Sequence, residues 1–563
     1  MTVAAWYDHP LVRWTLMGTY LMVLGAIGLY GLHRYWLVSL YWRHRRTATK
    51  PRAQFDQLPP VTVQLPMFNE LNVAERVIDA ACQLDYPPDR LQIQVLDDST
   101  DACGPIARRR CATWRARGVD IQYLHREDRH GFKAGALQNG MTAAKGSFIA
   151  VFDADFVPPP QFIRGTIDYF TDESVGMVQT RWDHLNRTDS LLTRLQALFL
   201  DGHFVIEHTA RNRSRRWMNF NGTAGIWRRE SIEDAGGWQH DTLTEDVDLS
   251  YRCQLAGWRF IYLPDLTCPA ELPPDMNAFK AQQHRWTKGS IQTAIKLLPR
   301  LLRAPIPARV KTEAFFHLTC PMVYVYVTLM ALLFFPTLYV NIRPFDRGTL
   351  FAVLLTFASF VAGTVSIGVF CLASQHAVGR SRLATVLQIP MLMSLGIGVA
   401  INNARGCLEA LIGHESPFIR TPKYNTRVQG SGSRVQSRMT LRDTPTRRKL
   451  RFGRGSGPLC LRERAGVKGS NTAVNFIDQR SAKLWMPIIE LSMGFYTLNC
   501  ARIALRIDEA LVSIPFLLLF AWGYFYVGFN SLWARWYKRA YVIEEKDERD
   551  PSDERDWRTA TNW

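Results

Sequence analysis

Residues 146–156 read GSFIAVFDADF, a short apolar run broken at once by two aspartates one residue apart. A run of this length and composition, bounded by glycine and acid, predicts a strand buried on both faces. Asp153 and Asp155 then fall at its carboxyl end. Toward the N-terminus the same design recurs. VTVQLP at 61–66 predicts a buried strand, followed by a polar FNE turn and a helix over NVAERVIDAACQL. LQIQVLDD at 91–98 predicts a second strand that also ends in acids, Asp97 and Asp98, and IQYLHR at 121–126 predicts a third. Strands alternating with helices specify a mostly parallel, doubly wound α/β sheet. Ligands of such sheets bind beyond the carboxyl ends of the strands, where these four aspartates collect.

The acid pair Asp153 and Asp155 offers hard oxygen ligands of the kind that suit Mg²⁺ or Mn²⁺ bridging a diphosphate; alone it reads equally well as a solvated turn or a helix cap. Thr244-Glu245-Asp246 opens an apolar-periodic helix, VDLSYRCQLAGW. An acid there caps the helix dipole, and a carboxylate at such a mouth can also deprotonate a hydroxyl. Gln282-Gln283-His284-Arg285-Trp286 supplies a guanidinium able to neutralise phosphate and an indole on which a sugar ring can stack. Its plainer reading is an amphipathic helix lying against a membrane.

The chain has 563 residues, with 68 Lys+Arg against 50 Asp+Glu, a net charge of +18. Residues 43–52 carry five of these net charges and residues 420–483 thirteen, so the rest is neutral. A composition that is 47% hydrophobic and 21% charged excludes a disordered or fibrous protein. The ten cysteines stand singly, without paired spacing, which argues against a disulfide framework or a structural zinc site.

Uncharged apolar runs at Thr15–Leu32, Ala314–Ile342, Leu350–Ala373, Leu383–Ala404 and Ala510–Ala534 are long enough to cross a bilayer, and Leu484–Ala501 is interrupted by Glu490. The first reads as a retained anchor. Positive charge marks the cytoplasmic side, which places the domain after residue 43 in the cytoplasm and the N-terminus outside. Both basic segments become cytoplasmic if Leu383–Ala404 lies along or dips into the interface, giving five spans; six ordinary spans remain the alternative. The expected organisation is an anchor at 1–42, a cytoplasmic catalytic domain at 43–312, membrane helices and an interfacial segment at 313–413, a basic loop at 414–483, further membrane helices at 484–534 and a cytoplasmic tail at 535–563.

Taken in order, Asp-Asp, Asp-x-Asp, Thr-Glu-Asp and Gln-x-x-Arg-Trp, followed by membrane runs, resemble the processive family 2 glycosyltransferases, which include cellulose synthase-like, mannan, hyaluronan and chitin synthases. Pro66 with Asn69-Glu70, HGFKAGALQNG at 130–140, FNGTAGIWR and QQHRWTKGS support the likeness, most of all to cellulose synthase-like glucan and mannan synthases. The resemblance implies a GT-A type nucleotide-sugar domain, a Rossmann-like mixed sheet embedded between transmembrane helices of the cell (inner) membrane. It implies that Asp97, Asp98 and Lys133 meet the nucleotide, and that Asp153 and Asp155 hold Mg²⁺ or Mn²⁺ and the diphosphate. Asp246, beside Glu245, would be the general base. Gln282, Arg285 and Trp286 would hold diphosphate and acceptor sugar, and Phe220, Asn221, Gly222 and Thr223 would line the acceptor path. The segment His414–Lys423 sits where these synthases carry a gating loop, although its sequence differs from theirs.

The expected activity is inverting, processive synthesis of a β-linked glycan, with UDP-glucose as first choice of donor and GDP-mannose second. The expected partners are the growing chain, the bilayer and, in some settings, accessory export proteins. Three other readings stay open. One is a non-processive enzyme that makes a glycolipid. Another is a basic nucleic-acid-binding membrane protein, disfavoured because residues 420–483 are poor in aromatics for stacking. The third is a transporter, disfavoured by nearly charge-free apolar runs.

Overall fold

A computed structural model of the chain describes residues 9–47, 49–339, 358–359, 361–414 and 484–547. A long helix, α1 (Pro10–His44), precedes a seven-stranded sheet. Its strands are β1 (Val61–Met67), β2 (Leu91–Asp97), β3 (Ile121–His125), β4 (Phe148–Val151), β5 (Val175–His184), β6 (Gly225–Arg228) and β7 (Arg259–Ala270). Their order is β3-β2-β1-β4-β6-β5-β7. β1 to β4 pair in parallel, as does β5 with β7, while β6 runs antiparallel to both β4 and β5. The sheet is therefore mixed. The first four strands match the apolar runs, but β4 stops at Val151, where the chain turns into the two aspartates.

The crossovers α2 (Ala74–Cys82), α3 (Cys103–Arg115) and α4 (Phe132–Ala143) cover the first half of the sheet. Alternation along each strand sends residues to two apolar cores: Val63, Leu65 and Val95 pack on one face with Phe152 and Phe162, and Leu96, Ile149 and Val151 on the other with Leu137 and Trp227. Buried polar side chains are paired across the sheet, Thr62 Oγ1 with Gln92 Oε1 at 2.8 Å and Gln64 Nε2 with Gln94 Oε1 at 3.1 Å. Burial without such partners would be costly.

Between β5 and β6 the chain forms α5 (Leu191–Asp201), a π-helical turn at Gly202–His208, and α6 (Thr209–Arg213). Then come α7 (Arg229–Asp234), α8 (Glu245–Leu255) and, after β7, α9 (Met276–Arg303). The remaining helices are α10 (Ala308–Thr319), α11 (Met322–Tyr339), α12 (Ser366–Ala377), α13 (Arg382–Gly398), α14 (Ala400–Leu411), α15 (Trp485–Ala504) and α16 (Ile514–Asp547).

Among the described residues, α1 and Ala510–Trp536 are each long and apolar enough to cross a membrane, and there are four such elements if two bent pairs each count as one. These pairs are α10 with α11, bent by 54°, and α13 with α14, bent by 43°. Neither Ala314–Ile342 nor Leu383–Ala404 is thus one straight helix. The polar end of the second run explains its break: Asn402 Nδ2 donates to the Lys280 carbonyl at 3.0 Å, and Lys288 Nζ lies 3.2 Å from Glu409 Oε2, so α14 is held by hydrogen bonds and charge on α9. The basic segment 420–483, the turn at 341–349 and the stretch after His414 lie outside the described residues.

Glu490, which interrupts the apolar run of α15, is fully buried and paired with the buried Lys280 of α9. Breaking a buried pair from one side leaves an uncompensated charge. Glu490→Leu is expected to cost about 3–5 kcal/mol, read as a lower thermal unfolding midpoint in detergent. The double variant Lys280→Met, Glu490→Leu should recover most of that loss, and equal midpoints for single and double variants would show that the pair carries no such cost.

Candidate active site

β4 pairs with β1 only as far as Gln64, so the two strands part beyond that point. Pro66, which has no N–H to donate, is tolerated because nothing faces it on the β4 side. The order reverses here, with β2 and β3 on one side of β1 and the remaining strands on the other, and a crevice opens at this switch point. It is a cleft of about 160 Å³. Asp98, Lys133, Asp153, Asp155, Asn221, Gly222, Glu245, Asp246, Gln282, Arg285 and Trp286 all line it, so most of the residues proposed from the sequence come together.

Asp97 does not line it. Side chains alternate along a strand, and Asp97 points into the protein, fully buried, accepting from Tyr123 Oη at 2.6 Å and from Ser99 N at 3.1 Å. Asp98 faces the cleft wall and is gripped by Arg126, Nε to Oδ1 at 2.8 Å and Nη2 to Oδ2 at 2.5 Å. Asn69 sits at φ 52°, in the left-handed region that asparagine accepts more readily than most residues. Its side-chain amide oxygen Oδ1 accepts the Thr100 N–H at 2.9 Å, locking the loop after β1 to the loop after β2.

Phe220 and Thr223 do not line the cleft either. Phe220 is a fully buried prop, edge-on to Trp227. Thr223 Oγ1 accepts the Asp153 N–H at 2.9 Å and so orients the turn that carries the acid pair. Between them Gly222 adopts φ +81°, and a Cβ there would stand 3.2 Å from Asp246 Oδ2 and 3.3 Å from Lys133 Nζ. The Lys133 ammonium occupies the centre, 2.6 Å from Asp153 Oδ1, 2.9 Å from the Gly222 carbonyl and 3.8 Å from Glu245 Oε1. Burial opposes this charge, but Asp153, Glu245 and Asp246 outweigh it and hold the ammonium above the ordinary lysine pKa.

Gln282, Arg285 and Trp286 project from one face of α9, as their spacing of three and four requires. α9 approaches the start of α8 closely: a Cβ at Gly289 would lie 2.6 Å from Thr244 Cγ2. This contact sets the helix carrying Asp246 against the helix carrying Trp286. Asp246 keeps one edge toward the cleft and is enclosed by protein elsewhere. Burial, then the neighbouring Glu245 carboxylate, push its pKa up to about 7. A carboxylate so poised can exchange a proton near neutral pH.

Phe68, Arg129, Glu271 and Trp182 also line this wall, and no motif in the sequence marks them. Arg129 stacks over Phe68 with its guanidinium carbon 3.3 Å from the ring centroid, and Glu271 pairs with Arg76 at 2.7 Å. Both pairs join distant parts of the chain. Asp246, Asn221 and Trp286 also line a second, far larger cavity of about 1490 Å³, which continues among the helices past Leu21, Phe334 and Phe516.

Residues 59–289 match the family described as Glycosyltransferase like family 2. That segment is a family 2 glycosyltransferase domain with the GT-A type mixed sheet. The chain is 42% identical over 279 residues to glucomannan 4-beta-mannosyltransferase 2 of Arabidopsis thaliana, covering 47% of this chain and 52% of the relative. It is 43% identical over 258 residues to glucomannan 4-beta-mannosyltransferase 1 of Oryza sativa subsp. japonica, covering 45% and 50%. The chain thus spans about half the length of the curated relatives it matches, and the expected likeness to cellulose synthase-like glucan and mannan synthases stands. A solved mannosyltransferase from Pyrobaculum calidifontis, in complex with GDP-Man and Mn2+, shares the fold with a TM-score of 0.50 at 20% identity, over 71% of this chain and all of that one.

Asp246 binds its proton more tightly in the folded chain, near 7, than at the ordinary value of 3.8. Ionising it therefore costs stability progressively as pH rises from about 4 to about 7. Asp246→Asn removes that cost. Its thermal unfolding midpoint should exceed the wild type's at pH 8 and converge on it near pH 4; a gap independent of pH would place the carboxyl in an ordinary environment.

Proposed function

We propose that the chain is a membrane-embedded, inverting, processive glycosyltransferase that builds a β-linked mannan-type polysaccharide from a nucleotide sugar. One observation carries this reading: Asp246, Asn221 and Trp286 line both the cleft that gathers the motifs and the large cavity that leaves it among the apolar helices. A site that opens directly into such a passage can pass each lengthened chain onward without releasing it. The mannosyltransferase names of the relatives favour GDP-mannose as donor over UDP-glucose, the first choice from the motifs.

In this reading Asp246 takes the proton of the acceptor hydroxyl as its oxygen attacks the anomeric carbon. The bond from that carbon to the diphosphate breaks, and the nucleoside diphosphate leaves with the electron pair. One displacement on an α-linked donor gives a β-linked product. Lys133 and Arg285 neutralise the leaving diphosphate, Gln282 positions it, and Trp286 stacks on the acceptor sugar. Among the described residues no cluster of three or more His, Cys, Asp or Glu forms a metal cage. The pair Asp153 and Asp155 still fits Mg²⁺ or Mn²⁺, because such ions are commonly held by one or two carboxylates with substrate phosphates completing the shell. Bound there, the ion would supply further positive charge to the diphosphate. The basic segments at 43–52 and 420–483 favour a cytoplasmic catalytic domain and a multi-pass arrangement.

Purified enzyme offered labelled GDP-mannose and UDP-glucose should incorporate mannose preferentially into a β-linked polymer that elutes early on a sizing column. Preference for UDP-glucose would overturn the donor, and a short lipid-linked product would overturn processivity. Asp246→Asn should reduce transfer by about 10²-fold or more. EDTA should abolish transfer, and Mg²⁺ or Mn²⁺ should restore it. Wild-type activity should fall as pH drops through about 7, and Glu245→Gln, by removing the neighbouring negative charge, should move that limb to lower pH; an unmoved limb would assign the titration to another group.

A further inference from the structure

The outward surface of α1 changes character at one level. The two cations inside its apolar stretch turn inward, His33 to Glu313 at 3.1 Å and Arg34 Nη1 to Ser366 Oγ at 3.0 Å. The exposed face therefore stays apolar through Leu29, Leu32, Trp36 and Trp42, and Arg43, Arg45 and Arg46 follow at once. The start of α13 makes the same change in reverse. Arg380 and Arg382 are exposed, and beyond them Leu383 is 71% and Leu387 65% exposed, about one helical turn apart. Apolar side chains left this open suit a nonaqueous neighbour.

Contacts set the two boundaries side by side. The Arg45 guanidinium carbon lies 4.0 Å from the Trp42 ring centroid, Trp42 stacks with His376 of α12 at 6.0 Å, and His376 Nδ1 is 3.3 Å from Arg382 Nη2. Arg213 donates to the Arg45 carbonyl and so holds the end of α1 in place. A guanidinium only donates, so Nδ1 of His376 accepts from Arg382, and Nε2 carries the imidazole proton as a further donor. Among the described residues neither Arg45 nor Arg382 has a carboxylate partner. By contrast, Arg187 meets Asp201 at 2.7 Å and Arg52 meets Asp172 at 3.0 Å.

Two uncompensated guanidinium groups with an imidazole donor between them suit phosphate. Inorganic phosphate would use only half of this surface, because the open apolar side chains begin one residue beyond Arg382. A phosphate that carries acyl chains uses both halves. Trp42 stands at the boundary, where amphipathic rings meet membrane headgroups, and basic pockets between helices at that level attract anionic lipid.

We propose that Arg45, Trp42, His376 and Arg382 form a binding site for the headgroup phosphate of an anionic phospholipid, with an acyl chain along Leu383 and Leu387. This rests on the membrane-embedded part of the function proposed above, and not on the donor, the acceptor or the product. Arg45 and Arg382 reach the phosphate from different helices, so the bound lipid ties α1 to α13 across the end of α12.

The test uses the full chain in dodecyl maltoside, titrated with dioleoylphosphatidylglycerol or dioleoylphosphatidylcholine. Native mass spectrometry counts bound lipid, and the thermal unfolding midpoint reports stabilisation. Wild type should bind phosphatidylglycerol about tenfold or more tightly than phosphatidylcholine, whose choline cation the two arginines repel, and should melt higher in its presence. Arg45→Gln and Arg382→Gln should each weaken phosphatidylglycerol about tenfold, and Arg382→Lys, which keeps the charge, should weaken it less. Arg303→Gln removes an equal charge from another exposed arginine, at the end of α9, and should leave binding unchanged. Exposed substitutions of this kind cost little stability, so lipid-free midpoints should match the wild type's and separate lost binding from misfolding. Equal affinity for the two lipids overturns the site. So does a loss in Arg303→Gln as large as that in Arg45→Gln, or displacement of the lipid by inorganic phosphate at the lipid's own concentration. A chain that stays monodisperse without detergent overturns the membrane reading and the site together, whereas one that needs detergent but fails the lipid comparison overturns the site alone.

Discussion

A single ammonium organises the site. Lys133 reaches from α4 to Asp153 after β4, to the carbonyl of Gly222 before β6 and toward Glu245 at the head of α8. Three segments far apart in sequence are thereby held around one positive charge. Without it, Asp153, Glu245 and Asp246 would bring carboxylates together in a half-buried crevice, where repulsion is poorly screened. With it, the acids are tolerated, but Asp246 receives less of the benefit than its own burial and Glu245 take away, and its proton is retained to about pH 7. The balance is local: one cation shared by three acids leaves the most enclosed of them short of charge.

Parts of this arrangement were legible in the sequence and parts were not, for physical reasons. β1, β2 and β4 announced themselves because interior parallel strands are buried on both faces and rich in apolar residues, and they end where the crevice begins; β3, at the sheet edge, is mostly half-buried and was marked by its short apolar run alone. β6 is four residues long and antiparallel, and it ends in Trp227-Arg228, so neither length nor periodicity marks it. The adjacent acids Asp97 and Asp98 looked equivalent, yet strand alternation sends them to opposite sides, and only Asp98 reaches the cleft. FNGT was read as four path-lining residues; Phe220 and Thr223 instead buttress the turn from behind, a distinction set by which side of an irregular loop faces the core. Glu271 and Trp182 could not be found because their places depend on β5 and β7 meeting at a distance.

The apolar helices posed the harder problem. Hydropathy located them, but it treats a buried ionisable residue as an interruption. Glu490 is not one: its partner Lys280 lies 210 positions away on α9, and the pair replaces the water that neither group can reach. The run at Leu383–Ala404 is likewise apolar by count yet divided by structure, and beyond the break Asn402 and Glu409 find partners on α9 as well as within α14.

α9 therefore has two duties on opposite sides. One side carries Gln282, Arg285 and Trp286 into the crevice, and the other sets Lys280 and Lys288 against Glu490, Glu409 and the His414 carbonyl. Both ammonium groups are nearly or fully buried, so sliding α9 along the apolar helices would expose charges to a medium that cannot solvate them, at a cost of roughly 3–5 kcal/mol for each broken pair. Gly289 closes the remaining freedom by letting Thr244 press against α9 with no room for a side chain between them. Crevice and passage are thus parts of one frame. In the processive reading proposed above, a fixed α9 leaves the polymer as the part that moves past Trp286, through a cleft and cavity that share Asp246, Asn221 and Trp286.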